Sequence, residues 1–216
     1  MKTAVLIPAR AGSKRIPNKN VKELGGKPLI VWSIETAMAL NIPTYVSTDS
    51  RFYAEIAYRA DAEVIHRPDE LAADHITDLE VITHALTVVD ADLIVYLRPT
   101  TPFRDHLLVG QAIDCVHAGT GLRSVEEMSE SAYKCFQLDG WYLEPLTGQP
   151  WRVTDQPNQL LPKTFHPNGY VDICKADLIR KGDLWGDKVL GFITPRTIEI
   201  DSIDDWRYAE YEINNR

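Results

Sequence analysis

Short apolar runs of the buried-strand type alternate with amphipathic helical stretches through the first half of this chain, and that alternation constrains the fold more than any other feature. Thr3–Pro8 (TAVLIP) reads as the first strand. Pro28 is placed as a first helical residue, and Leu29, Ile30, Trp32, Ile34, Ala37, Met38 and Leu40 mark a helix ending near Asn41. Residues 44–47 form a second strand, Ser50 caps a helix through Ala60, and residues 62–66 form a short strand before the Arg67-Pro68 turn. Thr77 with Glu80 makes a capping box ahead of Val81, Ile82, Ala85, Leu86 and Val89. Residues 92–98 (DLIVYLR) read as another buried strand, and Asp105 caps a helix expected to run to Ala118. This β-α-β-α order predicts an α/β fold: a mostly parallel, twisted sheet with helices on both faces and right-handed crossovers. Ligands of such sheets bind at the carboxyl ends of the strands, where three polar loops emerge, at residues 9–20, 47–50 and 98–104.

Beyond residue 120 the pattern changes. Aromatic residues, an Asp139-Gly140 hairpin signal and a proline-rich passage over 145–167 predict an antiparallel excursion. Residues 188–194 read as a returning strand, and Asp204 or Asp205 starts a final helix containing Trp206, Ala209, Tyr211 and Ile213. With no internal repeat or low-complexity linker, the 216 residues read as one domain carrying a subdomain at about 125–165.

Net charge is −8, from 23 basic and 31 acidic residues, which argues against a broad nucleic-acid or anionic-membrane surface. The basic residues are unevenly spread. Residues 1–27 carry Lys2, Arg10, Lys14, Arg15, Lys19, Lys22 and Lys27 against the single acid Glu23. A short basic segment on an acidic chain suits a small, highly charged anion such as a nucleoside triphosphate. No apolar run approaches the roughly 20 residues of a membrane helix, and no basic-then-apolar leader opens the chain, so the expectation is a soluble, cytoplasmic protein. Cys115, Cys135 and Cys174 are too scattered for a disulfide framework or a zinc motif. His66, His75, His84, His106, His117 and His166 form no metal-ligand pair, and none reads as a catalytic base.

The loop after the first strand, residues 9–20 (ARAGSKRIPNKN), combines a glycine, a hydroxyl donor, backbone amides and fixed cations, the parts needed to surround phosphate oxygens. It is not a P-loop: neither Gly12-Ser13-Lys14 nor Gly25-Gly26-Lys27-Pro28 has the Gly-x-x-x-x-Gly-Lys-Ser/Thr spacing. The dinucleotide-binding glycine pattern is absent too.

At these residues the chain resembles the acylneuraminate cytidylyltransferase family. Ala9, Arg10, Gly12, Ser13, Lys14, Lys19 and Asn20 match the family's Ala-Arg-x-Gly-Ser-Lys…Lys-Asn loop, followed in register by Gly25-Gly26-Lys27-Pro28-Leu29. Ser47-Thr48-Asp49, Arg67-Pro68 with Leu71-Ala72 and Asp74, Pro99-Thr100-Thr101-Pro102 with Arg104, Asn168-Gly169 and Glu199-Ile200-Asp201 resemble its later motifs, so the likeness spans roughly residues 3 to 210. The loop Arg15-Ile16-Pro17-Asn18 departs from the Arg-Leu-Pro-Gly of the related 3-deoxy-manno-octulosonate enzymes.

The resemblance implies a Rossmann-like nucleotidyltransferase in which the anomeric hydroxyl of a 2-keto-3-deoxy sugar acid attacks the α-phosphorus of CTP and releases pyrophosphate. It assigns Arg10, Ser13 and Lys14 to the triphosphate with Lys19 in support, so that Arg10, Lys14 and Lys19 are the candidate catalytic cations. Ala9, Gly12, Asn20, Arg67 and Asp78 complete the nucleotide set. Arg98, Thr100, Thr101, Arg104, Asn168 and Asp172 fall to the sugar side. Glu199 and Asp201, two positions apart on an extended segment, share a face and can share Mg²⁺, although family members usually have aspartate at both positions. Arg98 stands where the family often has glutamine, and Asp172 where it often has tyrosine. Arg98 then either takes the substrate carboxylate bidentately or pairs with Asp172 and narrows the pocket. The resemblance also implies a homodimer joined through the 125–165 excursion. Two other readings stand beside this one: a sugar nucleotidyltransferase with a different base or acceptor, notably the octulosonate type, and a non-enzymatic nucleotide-sensing protein of the same fold.

Overall fold

In the computed structural model, which describes residues 1–116 and 121–215, strand β1 (Thr3–Pro8) alternates its side chains between two cores. Val5 and Ile7 face one core, Ala4 and Leu6 the other, and all four are at most 3% exposed. That period-2 division of a strand with an unbroken apolar run from Ala4 to Ile7 is what a sheet covered on both faces demands.

After the 9–20 loop, a tiny hairpin of β2 (Glu23–Leu24) and β3 (Lys27–Pro28) turns on Gly25 and Gly26, both at positive φ. A side chain at Gly25 would meet Ile213 at 2.8 Å, so this turn needs glycine twice over. Pro28 ends the hairpin, and α1 (Leu29–Ala39) begins one residue later than the sequence suggested. Then follow β4 (Thr44–Thr48), α2 (Arg51–Arg59), β5 (Glu63–His66), α3 (Asp78–Ala85), β6 (Leu93–Tyr96) and α4 (His106–Asp114). Ser50 caps α2 by accepting from Tyr53 N, Asp105 caps α4 by accepting from Leu107 N, and the Thr77/Glu80 capping box is formed. The α3 helix stops at Ala85, short of the expected Leu86 and Val89. The expected helix end at Ala118, and His117, lie outside the described residues.

The second half adds β7 (Gly121–Glu127), the hairpin β8 (Phe136–Asp139) and β9 (Tyr142–Pro145), α5 (Trp151–Thr154), β10 (Phe165–Lys175), α6 (Ala176–Ile179), β11 (Val189–Ile193) and α7 (Ile203–Asn214). The final helix starts at Ile203 rather than at an aspartate, because Ser202 is its cap and Asp205 closes the capping box. The main sheet has the order β11-β7-β10-β6-β1-β4-β5. Every neighbouring pair is parallel except those of β10, which runs antiparallel to both β6 and β7. Helices α1, α2 and α4 cover one face and α3 with α6 the other. β7 and β10 are strands the sequence reading did not place. They bracket the β8–β9 excursion, which stands off the main sheet with Leu138, Trp141 and Tyr142 largely exposed.

A third, small core joins α7 to the first loop: Ile16, Leu24, Leu29, Ile200, Trp206 and Ala209 are buried together. Lys22 Nζ lies 4.4 Å from the Trp206 ring centroid. The carboxyl-terminal helix therefore braces the basic loop that leaves β1. No helix of the described residues is long and apolar enough to cross a membrane.

Candidate active site

The 9–20 loop leaves β1 at its carboxyl end and is tied to its neighbours by the backbone. Ala9 N donates to Ser47 O at 2.9 Å, Ala11 N to Asp49 Oδ1 at 2.9 Å, and buried Asn20 donates from Nδ2 to Arg10 O at 3.0 Å. Asn18 takes a left-handed φ of 53°, which asparagine tolerates, and its carbonyl accepts from Val21 N and Lys22 N to close the loop. An added Cβ at Gly12 meets nothing within 4 Å, so the fold does not itself require glycine there. The open space suits a ligand's close approach.

This loop forms one wall of a cavity of about 500 Å³, shared with Arg67, Asp74, Asp78, Tyr96, Arg98, Thr100 and Asp201. Arg10, Ser13, Lys14, Lys19 and Asn20, all singled out in the sequence, line it together. Arg10 pairs with Asp74 at 2.7 Å and donates to Ala72 O, and Lys14 also pairs with Asp74. Lys14 and Arg10 hold the Asp74 carboxyl below its ordinary pKa. Lys19, only 13% exposed, donates to Ile200 O at 2.7 Å and to Asp201 at 3.0 Å, which draws the acidic segment into the cavity. Arg67 is buried and donates from Nε and NH2 to Ser47 Oγ and O, and burial lowers its pKa. Asp49, Asp74 and Tyr96 were not among the predicted site residues. The first two lie within the recognised motifs; nothing in the sequence marks Tyr96.

On the sheet floor, Arg98 bridges two carboxylates, with NH1 2.6 Å from Asp172 Oδ2 and NH2 2.5 Å from Asp78 Oδ2. Burial opposes its charge, but Asp172 and Asp78 outweigh burial and its pKa is raised. Tyr96 donates to the other oxygen of Asp78 at 2.8 Å, and burial followed by Asp78 raises its pKa well above the ordinary value. Of the two roles open to Arg98, the pairing with Asp172 is the one seen, and Asp78 is drawn in as a second partner. Asp172 is buried and also lies 3.6 Å from Arg123 Nε.

Arg104 does not line this cavity. Its guanidinium donates to the carbonyls of Tyr170, Arg98 and Gly169 and to Ser33 Oγ, holding the 98–104 turn against β10. Burial pulls its pKa down to about 9, so it remains charged at neutral pH. Thr100 lines the cavity and its carbonyl accepts from Ile200 N at 2.7 Å, while Thr101 is fully buried; neither hydroxyl has a hydrogen-bond partner. Asn168, also buried, donates to Thr194 Oγ1 at 2.6 Å, and its Oδ1 accepts from Tyr170 N, so its amide holds the Asn-Gly turn. Gly169 is at φ 64°, with Thr101 Oγ1 3.1 Å and Glu199 Oε1 3.3 Å from where a Cβ would stand. The segment with Glu199 and Asp201 is irregular, not a strand, although Ile200 between them is buried as alternation requires. Burial and the neighbouring Asp201 raise the pKa of Glu199. Among the described residues no group of three or more His, Cys, Asp or Glu side chains is gathered to hold a metal.

Comparison with known proteins agrees with this geometry. Residues 4–131 match the family described as cytidylyltransferase. The chain is 40% identical over 115 residues to an N-acylneuraminate cytidylyltransferase of Escherichia coli, covering 52% of this chain but 27% of that protein. It is 30% identical over 232 residues to a CMP-N,N'-diacetyllegionaminic acid synthase of Legionella pneumophila, covering 97% of this chain and 95% of the relative. The chain thus spans about a quarter of the first relative and nearly all of the second. In fold it is similar to a CMP:2-keto-3-deoxy-manno-octonic acid synthetase solved with CTP, at a TM-score of 0.77 and 15% identity over 100% of this chain and 99% of the other. With its basic loop, its sheet order and these relatives taken together, the chain belongs to the cytidylyltransferase family of nucleotidyltransferases.

Proposed function

We propose that this chain transfers CMP from CTP to the anomeric hydroxyl of a 2-keto-3-deoxy sugar acid of the sialic or legionaminic kind. The hydroxyl oxygen forms a bond to the α-phosphorus, the bond from that phosphorus to the bridging oxygen breaks, and pyrophosphate leaves with the electron pair. The hydroxyl proton passes to solvent or to an acidic side chain. The observation that carries this reading is the convergence of Arg10, Ser13 and Lys14 on one cavity at the carboxyl end of β1, in a cytidylyltransferase.

Little covalent chemistry falls to the protein in such a reaction; alignment and charge compensation do the work. Arg10 and Lys14, partnered now by Asp74, exchange that carboxylate for phosphate oxygens, and Ser13 adds a hydroxyl. Ala9 and Gly12 bring backbone close to the nucleotide. Asn20, Arg67 and Asp78 face the nucleoside, while Thr100 and the Arg98–Asp172 pair border the acceptor, with the buried Thr101 and Asn168 supporting that border from beneath. Arg104 supports that border through the turn it holds. Glu199 and Asp201 fit Mg²⁺: Asp201 lines the cavity and its charge raises the pKa of Glu199 two residues before it, so the two carboxylates would supply hard oxygen donors. When bound there, the ion offsets negative charge on the triphosphate. Lys19 positions Asp201 for that role.

The exposed β8–β9 hairpin supports a homodimer through a subdomain at about 125–165, since Trp141 is 97% exposed and Leu138 and Tyr142 lie beside it. A cytoplasmic location goes with this reading, since the reaction draws on CTP. The test is incubation with each of the four nucleoside triphosphates, a panel of keto sugar acids and Mg²⁺, following pyrophosphate and weighing the product. Pyrophosphate with CTP and a keto sugar acid, and a product mass of sugar plus CMP, supports the proposal. Pyrophosphate with another base or an octulosonate alone replaces it with the related transferase, and no pyrophosphate at all favours a nucleotide-sensing protein.

A further inference from the structure

Resting on the sugar-acid reading above, the next question is which side chain receives the acceptor's carboxylate, a group that asks for a forked guanidinium. Arg10 and Arg15 line the cavity from the basic loop, on the triphosphate side. The other arginines at or beside the cavity are already engaged: Arg98 by Asp78 and Asp172, Arg67 by Ser47, and Arg104 by three carbonyls and a hydroxyl. Arg123 on β7 differs. Its Nε is buried without a hydrogen-bond partner among the described residues, its contact with Asp172 is loose at 3.6 Å, and its side chain is 37% exposed, so part of the guanidinium arm reaches solvent. The guanidinium carbon lies 5.0 Å from the Trp185 ring centroid, within cation–π range.

Its position follows from the register. Tyr96 on β6 pairs with Asp172 on β10, and Asp172 with Arg123 on β7, so the three form one row across adjacent strands. Two strand spacings, about 10 Å, separate the cavity floor from Arg123, a distance comparable with the length of a nine-carbon sugar. Asp172 is shared by Arg98 and Arg123 but bonded tightly only to Arg98, which leaves Arg123 the less neutralised of the two.

We propose that Arg123 is the specificity-determining residue that takes the carboxylate of the sugar acid, with Trp185 and Asp172 setting its orientation and the Arg98–Asp172 pair forming the pocket floor between it and the nucleotide. The experiment measures pyrophosphate release by wild type, Arg123→Gln and Arg123→Lys, with the accepted sugar acid and with its methyl ester. Sugar and CTP are varied separately, and the melting temperature of each variant is recorded. The expected result is a KM for the acid raised roughly tenfold or more in Arg123→Gln, in line with loss of a charge-assisted pair. Arg123→Lys should recover part of that loss, and the KM for CTP should stay near wild type. The methyl ester should be used poorly and equally by wild type and Arg123→Gln. An unchanged KM for the acid in a folded Arg123→Gln, or a loss that persists undiminished with the ester, overturns the inference. If Arg123→Gln does not fold, the acid-to-ester ratio of wild type against Arg123→Lys decides in the same way. A wild type that releases no pyrophosphate with any sugar acid defeats the functional reading and this inference together; an active wild type with an indifferent Arg123→Gln defeats this inference alone.

Discussion

The two ends of the cleft are built in opposite ways. At the proposed nucleotide end, residues close together in sequence supply exposed cations, and Lys14 is 79% exposed while sharing the half-exposed Asp74 with Arg10. At the proposed acceptor end, residues as much as 74 positions apart meet in buried ion pairs, with the Asp172 side chain 3% exposed between Arg98 and Arg123. Exposed pairs contribute little and exchange partners readily, whereas breaking a buried pair leaves a charge stranded away from water. The first arrangement suits a loop that must release Asp74 and take up phosphate. The second suits a fixed surface that selects one acceptor over another.

The comparison is broken most directly at the nucleotide end. Arg10→Ala and Lys14→Ala should each lower kcat/KM by about 2 to 4 kcal/mol of transition-state stabilisation while leaving the melting temperature almost unchanged. Near-native turnover in both removes their assignment to the triphosphate. Asp172→Asn should show the reverse pattern at the acceptor end. Unfolding in urea should reveal a loss of about 2 kcal/mol, below the full range for a broken buried pair because Arg98 keeps Asp78 as a partner. The KM for the sugar acid should change more than the KM for CTP. Gly169→Ala should cost about 1 to 2 kcal/mol in the same unfolding measurement, since alanine resists a φ of 64° and its Cβ crowds Thr101.

Asp74→Asn gives the smallest effect and sharpens the contrast. Freed from their carboxylate, Arg10 and Lys14 should bind CTP severalfold more tightly at neutral pH, read as a lower KM. The pKa of Asp74 is depressed by Lys14 and Arg10, so its pairing is fully present above the ordinary carboxylate range and is lost as pH falls through the folded value. The difference between variant and wild type should therefore hold from neutral to alkaline pH and close only in acid. A difference that opens instead near neutrality assigns the effect to another group.

How legible each end was in the sequence follows from the same contrast. β1 falls where an unbroken apolar run predicts it, and the Ser50, Thr77 and Asp105 caps form as their local spacing demands. The basic loop could be located because its chemistry is contiguous. β7 and β10 are not marked in the sequence because their apolar residues are interrupted by charges, Arg123 and Glu126 on one and Asp172 on the other, whose partners lie far away along the chain. Residue type alone puts Arg104 on the sugar side, whereas the carbonyls to which it donates belong to a turn that only the folded chain assembles. The alternatives at Arg98 were visible from residue types, but the second carboxylate, Asp78, required the approach of α3 to the sheet. Local signals carry local structure; pairing across strands does not announce itself in either strand alone.

The most direct test of the central claim is the structure of the protein soaked with CTP and Mg²⁺. The account predicts the triphosphate within hydrogen-bonding distance of Arg10, Ser13 and Lys14, Asp74 displaced from both cations, and density for the ion beside Asp201. A triphosphate bound elsewhere, with the 9–20 loop and Asp74 still paired as they are here, contradicts it.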